Sequence, residues 1–317
     1  MKTYRSLVLW SLLALLIVAL AGCAGAKAPE ASEPVGTESP ESVSVVDDAG
    51  RTVEVVRNTQ RLISLAPSNT EILFTLGLGD KVVGVTDFCD YPEEAQAIEK
   101  VGGMEHNLEK IVALDPDLIV AIGGSPAQVE KATEMEKLGL TVLVLDPGDI
   151  EGIMANIELL GKAAGAEKEA SELAAQMRKR FDDITTKAKE AGSRPKVFFE
   201  LDATDPSKPY TPGPGSFIDA LISLAGGSNI AASAKMQWAQ LSTEEIIAQD
   251  PEIIVLGDVN YGVTVEMVKD RPGWSVITAV KNGAIYPIDD ILISRPGPRI
   301  IDGLEDLARI IHPELFE

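Results

Sequence analysis

Residues 107–120 read NLEKIVALDPDLIV, and residues 242–255 read STEEIIAQDPEIIV. The two segments share one ungapped pattern, 135 positions apart: a capping residue, Glu at the third position, spaced apolar residues, Asp-Pro, an acid, an apolar residue and Ile-Val. Asn and Ser are favoured N-caps, and the helix dipole favours a carboxylate in the first turn. Each copy therefore predicts a short helix that Asp-Pro ends before a buried strand. The repeat predicts two similarly built halves.

Apolar, strand-like runs alternate with helical segments on both sides of each copy. Strands are expected at 62–65, 82–85, 118–122, 142–145, 196–201, 253–256 and 284–288, after a β-hairpin at 44–56. Helices are expected at 69–76, 108–113, 128–138, 217–224, 243–249 and from about 298 to 311. Uninterrupted apolar strands are typical of parallel sheets that helices cover on both faces.

A long segment without Pro separates the two halves, and its residues 166–190 predict one continuous helix. The predicted fold class is α/β, with two Rossmann-like lobes joined by a long rigid α-helix and a ligand cleft between the lobes. The predicted organisation is a leader at 1–22, a tether at 23–43, an N-terminal lobe at 44–165, a connecting helix at 166–193 and a C-terminal lobe at 194–317.

The N-terminus has the features of an export signal. Lys2 and Arg5 precede an apolar stretch at 7–21, which is shorter than the 20 or so residues of a spanning helix and ends in small residues. Residues 20–23, LAGC, look like a bacterial lipobox, in which Cys23 would carry the lipid; the alternative is an ordinary signal peptide with a chance Cys at its end. The Pro-, Glu- and Ser-rich residues that follow predict a disordered tether.

Composition narrows the class of protein. The chain has 28 Lys and Arg against 49 Asp and Glu, a formal charge of −21, which argues against a nucleic-acid partner. Two Cys and two His are too few for a zinc or iron–sulfur site built from those residues alone. Cys89 is expected to be a buried, inert thiol. No nucleophile elbow, P-loop or zinc-protease motif occurs, so no enzyme is expected.

Four segments carry a family resemblance: LISLAPSNTEILFTLGLGDKVVGV at 62–85, DYPEEAQAIEKV at 90–101, NLEKIVALDPDLIVA at 107–121 and SRPGPRIIDGLEDLA at 294–308. They resemble class III periplasmic substrate-binding proteins of ABC importers, the group that carries iron-siderophores, haem and vitamin B12. The likeness covers nearly all of the chain after residue 43. Within the group the chain is most similar to the cobalamin-binding members, particularly around DYP, NLE and the tryptophan six residues before Glu244.

The resemblance implies two sets of site residues. Phe88, Tyr210, Trp238 and Arg295 fall on ligand-binding cleft positions, and Glu109 and Glu244 fall on the surface glutamates, one per lobe, that dock onto the permease. This chain departs from the cobalamin pattern at other cleft positions. Ile122 replaces one tryptophan, and a second tryptophan is lost where the Gly102–Met104 loop is one residue shorter. Ile291 stands where the pattern has an aspartate, although Asp290 is the adjacent residue in this chain.

Each assignment has an alternative from the residues themselves. The aromatic residues would otherwise be ordinary core or surface side chains, and the two glutamates ordinary helix-start acids. Arg295 would otherwise pair with Asp289, Asp290 or Asp302. His106, in the loop before Glu109, is expected to be exposed to solvent, with ligation of cobalt or haem iron as the alternative.

The resemblance implies a membrane-anchored lipoprotein that captures a corrinoid and delivers it to a permease and its ATPase. An iron-siderophore or haem ligand is the alternative, and a metal-scavenging or adhesin-like lipoprotein is the competing class. The protein would need no cofactor of its own, would act as a monomer, and would sit lipid-anchored outside the cytoplasm, at the outer face of the cytoplasmic membrane or in the periplasm.

Overall fold

The computed structural model describes residues 42–316. The predicted leader, Cys23 and most of the predicted tether lie outside these residues. The first strand begins at Ser42, two residues before the predicted 44. Val43 and Val45 are both buried, so the alternation of inward and outward side chains already holds from Ser42, which pairs with Val56. No helix within the described range is long and apolar enough to cross a membrane.

The N-terminal lobe contains a hairpin and a four-stranded sheet. Its strands are β1 (Ser42–Val46), β2 (Thr52–Val56), β3 (Leu62–Ser64), β4 (Val82–Val85), β5 (Leu118–Ile122) and β6 (Val142–Leu145). Its helices are α1 (Pro67–Thr75), α2 (Leu108–Ala113), α3 (Pro126–Lys137) and α4 (Ile150–Ala164). β1 and β2 pair antiparallel, and the other four strands form a parallel sheet in the order β4-β3-β5-β6.

The C-terminal lobe follows α5 (Glu167–Glu190). Its strands are β7 (Lys196–Glu200), β8 (Tyr210–Pro212), β9 (Ser228–Asn229), β10 (Trp238–Gln240), β11 (Ile253–Leu256) and β12 (Ile285–Pro287). Its helices are α6 (Phe217–Leu224), α7 (Thr243–Gln249), α8 (Val265–Lys269), α9 (Thr278–Asn282), α10 (Asp290–Ser294) and α11 (Ile300–Ile311). The parallel sheet has the order β12-β11-β7-β9, and β8 and β10 form a separate antiparallel ribbon.

The two parallel sheets have the same topology. Counting strands along the chain within each sheet, both read 2-1-3-4 from one edge to the other. In such open sheets, ligands bind beyond the carboxyl ends of the strands, where the strand order reverses direction. That place is the end of β3 and β5 in one lobe and of β7 and β11 in the other.

The repeated segment forms the same structure in both lobes. Asn107 and Ser242 cap α2 and α7 by accepting backbone N–H groups three residues ahead. Asp115 and Asp250 both adopt a left-handed backbone, with φ of 46° and 48°, a conformation that Asp tolerates better than most residues. Two residues later, Asp117 accepts backbone N–H groups just before β3 in the N-terminal lobe. In the C-terminal lobe, Glu252 accepts the N–H group at the start of β7 in the same way. Each copy therefore joins one helix to two adjacent strands.

The long helix α5 packs against α4 and α11. Gly165 ends α4 with a φ of 76°, and Gly161 lies so close to Ala170 that a Cβ would meet its side chain at 2.3 Å. The buried residues of α5 form a stripe at helical spacing, which includes Ala170, Ala174, Met177, Ile184 and Ala188.

The C-terminal helix α11 begins at Ile300, two residues after the predicted start. The Gly297 N–H bonds to the Arg295 carbonyl, and the Ile300 N–H then bonds to Gly297, so Pro298 lies in a turn rather than in the helix.

Candidate functional site

A cavity of about 210 Å³ lies at the carboxyl ends of β3, β4 and β5 and is called the N-lobe cavity here. Most of its wall is apolar. Its lining includes Leu65, Phe88, Ile122, Met135, His106 and Lys131. Phe88, predicted from the resemblance, is half exposed at 50% and lines this cavity. Ile122 and the short Gly103–Met104 loop, at which the chain departs from the cobalamin pattern, also line it.

His106 is half-buried in the N-lobe cavity wall, so the expectation of a solvent-exposed loop histidine is wrong. The loop turns back at Gly102, whose φ is 106° and where a Cβ would meet the Glu105 carbonyl at 2.4 Å. This turn pairs Gly102 with His106. Burial, aided by the charge of Lys131, lowers the pKa of His106, and its buried Nδ1 has no partner among the described residues. A neutral imidazole therefore lines the wall at pH 7.

A second cavity, of about 540 Å³, lies at the carboxyl ends of β7 and β11 and is called the C-lobe cavity here. Tyr210, predicted from the resemblance, lines it together with Tyr261. Its ionisable carboxyl groups are Asp202, Asp258 and Asp290, and no Lys or Arg of the described chain lines it. Asp202 accepts from the Thr204 N–H and hydroxyl, and Asp290 accepts from the Asn260 amide at 2.6 Å. The C-lobe cavity is thus acidic, unlike the N-lobe cavity.

Asp258 is the most buried of these acids, with 2% of its surface exposed. Its Oδ2 accepts the Ala203 N–H at 3.0 Å, and its buried Oδ1 has no partner within the described residues. Burial, together with the neighbouring Glu200 carboxylate, raises the pKa of Asp258 to about 6, and the charge of Arg271 opposes this shift only weakly. This carboxyl group therefore changes charge near neutral pH.

A buried ion pair lies beneath the C-lobe cavity. Glu200, at the end of β7, is fully buried, and both of its oxygens accept from Arg271, which is 8% exposed. The Arg271 guanidinium lies 4.6 Å from the centroid of the Trp274 ring, a cation–π contact. This packing holds Glu200 beside Asp258.

Tyr210 and Trp238 lie on the β8–β10 ribbon. Trp238 pairs with Pro212, and Tyr210 pairs with Gln240. Residues two apart on a strand share a face, so both aromatic side chains lie on the same exposed face, at diagonal positions. They are 42% and 44% exposed. Trp238 itself lines neither cavity.

Arg295 connects the two lobes. Its guanidinium donates to Asp90 at 2.7 and 3.2 Å and approaches Glu71 at 3.4 Å, so the predicted alternative partners Asp289, Asp290 and Asp302 are wrong. Asp90 and Glu71 are more than 200 residues away in sequence, and the loop after α10 brings Arg295 to them. The hydrogen bond from Arg295 lowers the pKa of Asp90.

Arg299 reinforces this connection. It donates to both oxygens of Glu71, which is only 2% exposed, at 2.6 and 2.9 Å, and it lies 3.8 Å from the centroid of the Tyr91 ring. Glu71 and Tyr91 belong to the N-terminal lobe, so this cluster fixes the lobes against each other.

The helix α10 links the C-lobe cavity to the Arg295 contact between the lobes. Asp290, its first residue, lines the C-lobe cavity, and Arg295, just after its end, contacts Asp90. Asp90 lies two residues from Phe88, which lines the N-lobe cavity. A five-residue helix spans about 7 Å, so Arg295 lies close to the C-lobe cavity and contacts a segment that also lines the N-lobe cavity.

Glu109 and Glu244 occupy the second positions of α2 and α7, one in each lobe. Both are exposed. Neither carboxylate has an ion pair or hydrogen bond within residues 42–316, whereas the adjacent Glu245 is used in the capping box of α7. The structure therefore leaves both charges available to a partner.

The described residues contain no group of three or more His, Cys, Asp or Glu side chains arranged to hold a metal ion. Cys89 is buried, as predicted, and its Sγ lies 3.1 Å from the hydroxyls of Thr70 and Thr86.

Sequence reasoning missed Asp202, Asp258 and Tyr261. A signal was present, because Asp202 and Asp258 each follow a predicted strand of the C-terminal lobe by one or two residues. The rule that ligands bind beyond the carboxyl ends of parallel strands would have singled them out.

Comparison with known proteins places these observations in a family. A model of the periplasmic binding protein family matches residues 62–292. The chain is 37% identical, over 98% of both chains, to an uncharacterized ABC transporter substrate-binding lipoprotein, YvrC, of Bacillus subtilis. It is 30% identical to a vitamin B12-binding protein of Vibrio cholerae, over 78% of this chain and 88% of that one.

Among solved structures, one similar fold is that of a Staphylococcus epidermidis protein described as a possible iron-binding (periplasmic solute-binding) protein. It has a TM-score of 0.70 and 31% identity, and the match covers 80% of this chain and 99% of that one.

Proposed function

Because the chain belongs to the periplasmic binding protein family and is an ABC transporter substrate-binding protein, we propose that it is a lipid-anchored receptor that captures a corrinoid and delivers it to the importer. It acts by binding and release rather than by catalysis. Phe88, Tyr210, Trp238 and Arg295 contact the ligand, and Glu109 and Glu244 dock onto the permease.

The observation that carries the proposed ligand class is the contrast between the two walls of the cleft. The N-lobe cavity is mainly apolar, with Phe88 at its edge, and suits the face of a large, mostly apolar ring. The C-lobe cavity has three carboxyl groups and no cation of the described chain in its lining. A corrinoid has an apolar ring face and a rim of carboxamides, which supply N–H donors to such a wall.

A second candidate, haem or an iron-siderophore, is favoured by one observation. His106 lines the N-lobe cavity with a lowered pKa, so its imidazole is neutral and able to ligate iron. The acidic C-lobe wall counts against this candidate, since haem propionates and anionic ferric siderophores would meet carboxylates there.

The test is native mass spectrometry of residues 24–317 with cyanocobalamin, aquocyanocobinamide, haem and a ferric siderophore in competition. We expect a one-to-one complex with a corrinoid. Haem or the siderophore displacing both corrinoids would contradict the proposal. His106→Ala is the matched variant: it is expected to keep the corrinoid complex, whereas it would weaken an iron-ligated one.

The proposed lipid anchor is tested at Cys23. Cys23→Ser removes the thiol that would carry the lipid, so we expect the full chain to move from the membrane to the soluble fraction or to persist as an uncleaved precursor. Cell fractionation and intact mass measure this. Cys89→Ser is the matched control, because Cys89 is buried and is expected to leave membrane retention unchanged. Normal processing and retention of the Cys23 variant would contradict the anchor.

A further inference from the structure

Four buried side-chain atoms in the described part of the chain lack a hydrogen-bond partner. Two of the four belong to residues that line the cleft cavities, His106 Nδ1 on the N-lobe side and Asp258 Oδ1 on the C-lobe side. Buried polar groups in folded proteins are nearly always paired, and leaving one unpaired is costly. Asp258 lines the C-lobe cavity, so a donor on a bound ligand is one group that can satisfy this oxygen.

The surroundings of Asp258 determine what that donor is. Within the cavity the other ionisable groups are Asp202, Asp290, Tyr210 and Tyr261, none of them a cation. Arg271, whose charge acts on Asp258, is already held by Glu200 in a two-oxygen pair. A carboxylate on a ligand would meet like charge here and would leave Oδ1 unpaired, whereas an N–H group would satisfy it.

We propose that Asp258 is a specificity-determining residue, whose Oδ1 accepts an N–H from a rim carboxamide of the ligand and rejects a carboxylate at the same position. This inference rests on the proposed corrinoid function and names the chemistry by which the site distinguishes an amidated corrinoid from its acid form.

The affinity for a carboxamide ligand is expected to depend on pH. The acceptor is the ionised carboxylate, and the pKa of Asp258 is raised to about 6. The ionised fraction is then roughly 0.9 at pH 7 and 0.1 at pH 5, so affinity for a carboxamide ligand falls about tenfold between them. His106, on the opposite wall, has a lowered pKa and changes charge at lower pH than an ordinary histidine. A variant at Asp258 separates the two groups.

The experiment measures dissociation constants for aquocyanocobinamide, which has carboxamides on its rim, and aquocyanocobyrinic acid, which has carboxylates, at pH 5 and 7.5. Wild-type protein is expected to prefer the amide strongly at pH 7.5 and to bind it about tenfold more weakly at pH 5. Asp258→Asn is expected to lose this pH dependence. Its preference for the amide over the acid at pH 7.5 is expected to be about tenfold smaller than that of the wild type. Asp205→Asn is the matched control, because it removes the same charge from an exposed site bonded only to Ser207.

A second measurement needs no ligand. The pKa of Asp258 is about 4 in the unfolded chain and about 6 in the folded protein. As pH rises through this range, ionisation of Asp258 therefore destabilises the folded state. The melting temperature of Asp258→Asn relative to wild type is therefore expected to increase between pH 4.5 and 8, and this measurement also shows that the variant folds.

The outcomes separate the two proposals. Failure of wild-type protein to bind any corrinoid at either pH overturns both the proposed function and the role of Asp258. Binding of aquocyanocobinamide with the same affinity at both pH values, or Asp258→Asn behaving like wild type, overturns the role of Asp258 alone.

Discussion

Replacing both Glu109 and Glu244 by Gln is expected to reduce ligand uptake by tenfold or more while leaving ligand affinity at the wild-type value. Both carboxylates are exposed and unpaired within the described chain, one in each lobe at the same position of equivalent helices. Because the two lobes are fixed together, two separated charges can orient the protein on its partner through few contacts. Charged contacts of this kind govern the rate and specificity of association. Transport in whole cells and ligand binding by purified protein measure the two effects.

The matched control is the double variant Glu167→Gln and Glu169→Gln. These residues are also exposed first-turn acids, at the start of α5, and the change in net charge is the same. The loss of a helix-start carboxylate costs about 0.3–1 kcal/mol in either case, so both double variants should fold. Wild-type uptake by the Glu109 and Glu244 variant would show that they are only helix-start acids. Loss of ligand binding would show that they lie at the cleft.

Glu200→Gln is expected to lower the free energy of unfolding by about 3 kcal/mol. The substitution keeps the side-chain shape but leaves the buried guanidinium of Arg271 without a balancing charge, and breaking a buried pair in this way costs about 3–5 kcal/mol. The loss is expected at the lower end of this range because the neighbouring Asp258 carboxylate still supplies a negative charge near Arg271. Denaturant unfolding at pH 7.5 measures it.

Glu99→Gln is the control for this prediction. Glu99 pairs with Lys110 at 2.6 Å, but both side chains are about half exposed, and such surface pairs contribute at most about 1 kcal/mol. Equal losses in the two variants would contradict the account of Glu200. The Gln substitution should also move the pKa of Asp258 downward, because the Glu200 charge is one of the causes that raise it.

The repeated segment shows how much of the fold the sequence predicts. Its capping residue, first-turn Glu, apolar spacing and Asp-Pro act within about 14 residues, and the structure confirms a capped helix and a following strand in both lobes. Where the observed ends of helices and strands differ from the predicted ones, the cause is a contact outside the local sequence pattern. Ser42 joins β1 because it pairs with Val56, and α11 starts late because a turn precedes it.

The site was predictable only in part. The family resemblance selects Phe88 and Tyr210, which line the two cavities, and Trp238, which shares a face with Tyr210. Their roles as ligand contacts, like that of Arg295, stay predictions. The position of Asp258 after a predicted strand could have selected it, but its burial depends on tertiary contacts that the sequence alone does not give.

The sequence by itself therefore determined the α/β elements, their repetition and the capped helices, because neighbouring residues along the chain make those interactions. Only the tertiary structure decided that Arg295 pairs with Asp90, that His106 is half-buried and that Asp258 has an unpaired oxygen. Burial and ion pairing depend on which segments meet in space. Asp90 and Arg295 are 205 positions apart, and no local pattern along the chain encodes that contact.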